Sequence, residues 1–215
     1  MKIAIIGATG FVGKNLVNEL TNRNHDVLGI SRTENASNKQ NLTYLKQDVL
    51  NVEELSEQLK GYDVAVSAYN AGWSNPNIYD DFLKGSQAIQ QAVKRADIKR
   101  YIVIGGAGSL YVAEGVQAVD TEDFPADIKP GATAARDYYN LLKEEKDLDW
   151  VFFSPAFEMH PGITTGRTGN YRLGTDTPVF NEEGRSILSV QDLAVVIADE
   201  IEMPKHHQTR FTAGY

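Results

Sequence analysis

A chain of 215 residues with 42% hydrophobic and 23% charged content can bury a full core as one domain, and its formal charge of −8 speaks against general nucleic-acid binding, which relies on basic surface. It contains no cysteine, which excludes disulfides, thiolate metal sites and a catalytic thiol, and no apolar run reaches the length of a membrane span. A strand already at residues 2–6 leaves no room for a cleaved leader, so the expectation is a cytoplasmic protein with neither a nucleic-acid nor a membrane partner.

The chain opens on Lys2-Ile3-Ala4-Ile5-Ile6 and runs into Gly7-Ala8-Thr9-Gly10-Phe11-Val12-Gly13, after which Leu16, Val17 and Leu20 repeat at helical spacing. A strand, a glycine turn and a helix start form a cradle for the pyrophosphate of a dinucleotide. Gly7 permits the sharp turn, Gly10 lets backbone approach phosphate, and Gly13 lets the helix pack on the sheet. Thr9, Phe11 and Val12 sit in the same turn, at the positive end of the helix. A P-loop does not fit: Ala8 stands where its first glycine belongs, and Asn15 follows Gly13-Lys14 in place of a Mg²⁺-binding hydroxyl.

The second strand, Asp26–Ile30, ends in Ser31-Arg32. NAD enzymes place a carboxylate near here for the ribose 2′-hydroxyl, whereas Arg32 and Ser31 suit a 2′-phosphate. NADP is therefore the expected cofactor, with NAD the alternative. The third strand, Leu42–Leu45, leads to Asp48 and Val49, which either meet the adenine or start the next turn. Val52, Leu55 and Leu59 mark a helix broken by Gly61. The fourth strand, Asp63–Ala68, delivers Ala68, Tyr69 and Asn70 to the cofactor side, and Trp73 either covers the site or anchors packing.

Asn75-Pro76 starts a long helix with Ile78, Phe82, Ile89 and Val93 on its core face. The fifth strand, Tyr101–Ile104, ends in Gly105-Gly106, with Ser109 beyond it as a donor near the nicotinamide. Residues 107–130 read as irregular. A helix over 131–146 carries Tyr138, Leu141, Leu142 and Glu145. The sixth strand, Trp150–Phe153, closes in Ser154, Pro155 and Ala156, again at the nicotinamide end. Residues 156–186 read as a small lobe inserted in a single domain spanning 1–215. Ser189, with Asp192 three residues later, reads as a capping box for the last helix, and Arg210–Thr212 as a final strand. His206-His207 is a poor chelate, and no metal site is expected.

Apolar strands alternating with helices predict an α/β fold: a Rossmann-type doubly wound parallel sheet with helices on both faces and a small C-terminal substrate lobe. Its ligands belong beyond the C-terminal strand ends.

The segments Ile5–Gly10, Asp149–Ala156, Gly166–Gly174 and Ile187–Asp192 resemble the atypical and extended branch of the short-chain dehydrogenase/reductase superfamily. Within it the chain is similar to an NAD(P)H-binding group that includes NADH-flavin reductase-like, biliverdin reductase B-like and nitrogen-regulator-like proteins, often labelled NAD-dependent epimerase/dehydratase-like. The resemblance implies a Tyr followed four residues later by Lys as proton donor and pKa-lowering partner. Tyr139 and Lys143 have that spacing but stand too close to the next strand. The family register falls instead at Gly131 and Ala135, and its serine position at Gly105-Gly106. His160 is a further proton-donor candidate by location.

Without the pair, hydride transfer to a planar small-molecule acceptor such as a free flavin or a quinone is the expected reaction, under a roof over residues 156–180 in which Phe157, Met159 and Tyr171 either wall the pocket or pack the lobe. The competing expectation is a non-catalytic NADP(H)-binding redox sensor. Sugar-nucleotide epimerisation fits less well, because it needs the pair and a larger C-terminal region. One chain does not reveal an oligomeric state.

Overall fold

A computed structural model describes residues Met1–Tyr215. Its elements follow the order β1 (Lys2–Ile6), α1 (Phe11–Asn22), β2 (Asp26–Ser31), β3 (Leu42–Lys46), α2 (Val52–Leu59), β4 (Val64–Ser67), α3 (Ile78–Arg95), β5 (Arg100–Ile104), β6 (Tyr111–Ala113), β7 (Val116–Gln117), α4 (Lys129–Leu142), β8 (Asp149–Ser154), β9 (Arg172–Gly174), α5 (Val190–Glu202) and β10 (Thr209–Gly214). The main sheet runs β3-β2-β1-β4-β5-β8-β10-β9. All neighbours pair in parallel except β9, which lies antiparallel on β10. Strand order reverses between β1 and β4, so the carboxyl ends of those two strands flank the crevice where such sheets bind ligands.

The period-two geometry of β1 divides the core. Ile3 and Ile5 face a cluster with Leu16, Val17 and Leu20 of α1 and Leu193, Val196 and Ile197 of α5. Ala4 and Ile6 face the opposite cluster, with Leu55 of α2, Phe82 and Ile89 of α3, and Tyr138 and Leu142 of α4. Helices thus cover both faces, as the alternating apolar pattern predicts.

Several local expectations are corrected. α3 begins at Ile78, because Asn75 Oδ1 accepts from Asn77 N at 2.9 Å and holds Pro76 in a turn ahead of the helix. α4 spans Lys129–Leu142, ending before Glu145; Leu141 is exposed. Residues 107–130 hold two 3-10 turns, Ala107–Ser109 and Ala118–Asp120, around the small β6–β7 hairpin.

Ser189 does cap α5, accepting from Asp192 N at 3.0 Å, but Asp192 does not complete a capping box. Its fully buried carboxylate accepts instead from Thr168 N (2.9 Å), Gly169 N (2.8 Å), Thr168 Oγ1 (2.6 Å) and the Tyr215 hydroxyl (2.6 Å). That set of donors stabilises the charge and pins the lobe to α5. The adjacent histidines diverge: His206 stacks on Phe211 with ring centres 4.2 Å apart, and His207 Nδ1 lies 2.9 Å from Asp149 Oδ1. No helix is long and apolar enough to cross a membrane.

Candidate functional site

The glycine turn has the geometry an anion cradle needs. Gly7 N donates to Ile30 O at 2.9 Å and Gly10 N to Gly7 O at 3.0 Å, which folds the turn tightly between β1 and β2. Gly7 sits at φ +85°, and a Cβ there would come within 2.5 Å of Ala68 O. A Cβ at Gly13 would overlap the Gly7 carbonyl, so α1 packs this close only with glycine in place. Gly10 starts α1 without a side-chain cap, and the N–H groups of Phe11, Val12 and Gly13 have no backbone acceptor. Those donors and the helix dipole fit a bound pyrophosphate.

Arg32 is exposed just past β2 and takes part in no ion pair, so its guanidinium is free for a ligand phosphate. Ser31 is buried; its hydroxyl donates to Thr33 O at 2.8 Å and accepts from Asn35 Nδ2 at 3.1 Å, shaping the loop that carries Arg32. Asp48 is exposed and accepts from Leu50 N at 3.0 Å, while Val49 is packed in the core. The structure thus shows Asp48 as a turn former with an exposed carboxylate and leaves Val49 little surface to offer a ring.

From the glycine turn a cleft of about 770 Å³ runs across the ends of β4, β5 and β8. Gly10, Phe11 and Val12 form its foot, and Ala68, Tyr69 and Asn70 follow. Gly105–Gly108 and Pro155 make the floor, while Phe157 and Met159 rise from the lobe. The facing wall is Ala118, Thr121, Phe124, Pro125 and Ile128, with Trp73 at the rim. Sequence reasoning missed this second wall. Its signal was Phe124-Pro125, an apolar pair inside an acidic loop. Tyr69 stacks on Phe82 and donates to Asp81 O at 3.1 Å; burial pushes its phenol up, and nearby Arg32 partly opposes this.

The proton-donor candidates lie elsewhere. Ser109 Oγ and Ser154 Oγ are buried 3.4 Å apart beneath the floor, where Arg210 Nη1 donates to Ser109 O at 2.6 Å. Neither hydroxyl lines the cleft, and Ala156 beside them is core. Exposed His160 accepts from Gly162 N at 3.1 Å through Nδ1 and closes its own turn. Tyr171 donates to Asp199 at 2.6 Å, tying the lobe to α5 and leaving the roof to Phe157 and Met159.

Tyr139 packs on Phe152 with ring centres 4.8 Å apart and does not line the cleft; the Arg210 guanidinium lies 4.9 Å from its ring centre. Lys143 Nζ stands 5.1 Å over the ring centre, and burial pushes the phenol above its ordinary value despite Arg210. The aromatic contacts of its ring are thus with Phe152 and Trp150. The positions that do face the cleft from α4 are Gly131, Ala132 and Ala135. The register that the family resemblance assigns to Tyr and Lys therefore lines the site but carries no functional group.

A doubly wound parallel sheet with an uncapped glycine turn at its switch point and a cleft over the strand ends defines a nicotinamide-dinucleotide-binding Rossmann protein. The chain belongs to the NAD(P)H-binding family, whose family model matches residues 7–204. It is 34% identical over 214 residues to the uncharacterized protein YwnB of Bacillus subtilis, covering 99% of this chain and 97% of that one. A solved structure of a candidate epimerase from Bacteroides thetaiotaomicron is 44% identical, with a TM-score of 0.90 and coverage of 100% of this chain and 96% of that one. A candidate NADH-flavin reductase from Streptococcus pneumoniae is 35% identical, with a TM-score of 0.88 and coverage of 100% and 99%.

Proposed function

We propose that the protein is an NADPH-dependent reductase that passes hydride directly to a planar small-molecule acceptor such as a free flavin or a quinone. The observation that carries this reading is the cleft: it adjoins the pyrophosphate turn, is walled by apolar and aromatic side chains, and is lined at the α4 register by Gly131 and Ala135. Bound NADPH supplies the hydride, two electrons with one hydrogen nucleus, and the acceptor takes any further proton from solvent. The chain's own contribution is placement. The α1 N–H groups hold the diphosphate, Arg32 favours the 2′-phosphate, and the small floor residues leave room for one ring over another. Phe157, Met159 and Phe124 exclude water from that stack.

The candidate flavin reductase from Streptococcus pneumoniae supports a flavin-type acceptor. The reading requires no side-chain acid. The test is NADPH consumption with flavins and quinones, for wild type and Tyr139→Phe. Both are expected to oxidise NADPH at rates within about twofold of each other, because Tyr139 does not line the cleft. Tight NADPH binding without oxidation by any acceptor would establish the redox-sensor alternative, and a loss of orders of magnitude in Tyr139→Phe would restore the catalytic pair.

A further inference from the structure

The acceptor end of the cleft contains no cation: no Lys, Arg or His lines it, and its one carboxylate is Asp123. We infer that the acceptor is an uncharged planar molecule, a flavin ring without a phosphate ester or a quinone, and that the cleft selects against phosphorylated flavins. This deepens the reductase reading and rests on the cleft being the acceptor site.

The surroundings reinforce the charge pattern. Residues 118–131 carry Asp120, Glu122, Asp123 and Asp127 against Lys129 alone. Asp120 is paired with Arg136, whereas Glu122, Asp123 and Asp127 are exposed. Across the cleft, residues 69–77 hold no charged side chain, and neither do 104–113. On the lobe, Glu158 is bound by Arg185, and the His160 ring nitrogen Nδ1 is engaged by Gly162 N.

The helix start on this side is also a poor anion site. Lys129 N donates to Pro125 O at 3.1 Å, residue 130 is proline, and Ala132 N donates to Ile128 O at 3.0 Å. Only Gly131 N–H lacks a backbone acceptor in that turn, enough for one carbonyl of a neutral ring and too little for a phosphate. The contrast with the other end is sharp, where Arg32 and three open N–H groups await anionic oxygen. Charge is thus sorted along the cleft, and a second phosphate at the far end would meet Asp123 without a counter-charge.

Riboflavin and FMN share ring and ribityl chain and differ in the phosphate, so their affinity ratio isolates this term. Flavin fluorescence is titrated on protein saturated with NADP⁺, for wild type, Asp123→Asn and Asp123→Lys. Riboflavin is expected to bind about tenfold tighter than FMN or better, with the ratio shrinking in Asp123→Asn and reaching parity or inverting in Asp123→Lys. An uncharged naphthoquinone is expected to displace riboflavin. Equal affinities or tighter FMN in the wild type would overturn the inference, as would failure of both flavins to bind. The ratio is read without turnover, so selective riboflavin binding with no NADPH consumption would sink the reductase reading while leaving this selectivity standing.

Discussion

Arg32 is the residue on which the proposed preference for NADPH rests. It stands exposed beyond β2, and the carboxylate nearest in sequence, Glu34, is 86% exposed and lies 3.8 Å from Lys46. A free ribose 2′-hydroxyl calls for a carboxylate acceptor, whereas a 2′-phosphate calls for a guanidinium fork. Arg32→Ala is therefore expected to weaken NADPH binding about ten- to hundredfold, while NADH affinity stays within about twofold. Calorimetric titration of both dinucleotides checks this, and equal losses for the two would remove Arg32 from the phosphate. At this scale the tight glycine turn was legible in the sequence because it is made of backbone, and glycine spacing records where backbone must come close. Ser109, Ser154 and His160 were not legible. The direction of a side chain at a strand end depends on the partner it finds, and these found one another or their own turns.

The junction between α3, α4 and β8 is organised by Glu145, which lies just past the end of α4, although the sequence pattern placed it inside that helix. Its carboxylate accepts from Lys94 Nζ at 2.9 Å, Gln90 Nε2 at 2.9 Å and Asp147 N at 2.7 Å, and its carbonyl accepts from Trp150 Nε1 at 3.1 Å. Burial alone would push the carboxyl up, but the bonds from Lys94, Asp147 N and Gln90 win and hold it at about 2. A depressed folded-state pKa stabilises the fold above the ordinary glutamate value and loses that contribution as pH falls through the folded one. Unfolding by urea should therefore show stability declining between about pH 4.5 and about pH 2. Glu145→Gln is expected to cost about 2 kcal/mol at neutral pH and to flatten that acid limb; an unchanged limb would assign the acid sensitivity to other carboxylates. Whole strands and helix faces were legible from periodicity. Asp192 was misread because its partners, Thr168 and Gly169, lie 24 and 23 residues away, and capping logic sees only neighbours. The wall over 118–131 was missed for a related reason: one short 3-10 turn, Ala118–Asp120, and the irregular loop after it have no period to read.

At the scale of the molecule, the cleft draws on segments that only the folded sheet brings together. The glycine turn comes from residues 7–13, the floor from 105–108 and 155, and the walls from 118–132 and 157–159. The lobe that carries Phe157 and Met159 is tied back to the helices on one face: Arg167 donates to Glu19 of α1 at 2.8 Å, and Tyr171 to Asp199 of α5 at 2.6 Å. No unfolded segment could reproduce this arrangement, so a dinucleotide binds the native state alone and must shift the unfolding equilibrium by mass action. At one hundred times its dissociation constant, NADPH should add about 2.7 kcal/mol, which for a chain of 215 residues raises the melting temperature by roughly 5–10 °C. If Arg32 sets the preference, the same concentration of NADH should raise it by less, and the two shifts should converge in Arg32→Ala. Adding riboflavin to the NADP⁺-loaded protein should raise the melting temperature further, because the proposed acceptor end is walled by two segments that unfolding separates. Equal shifts with NADPH and NADH in the wild type would rule out the 2′-phosphate preference, and no shift with either would mean that the glycine turn does not hold a dinucleotide in this chain.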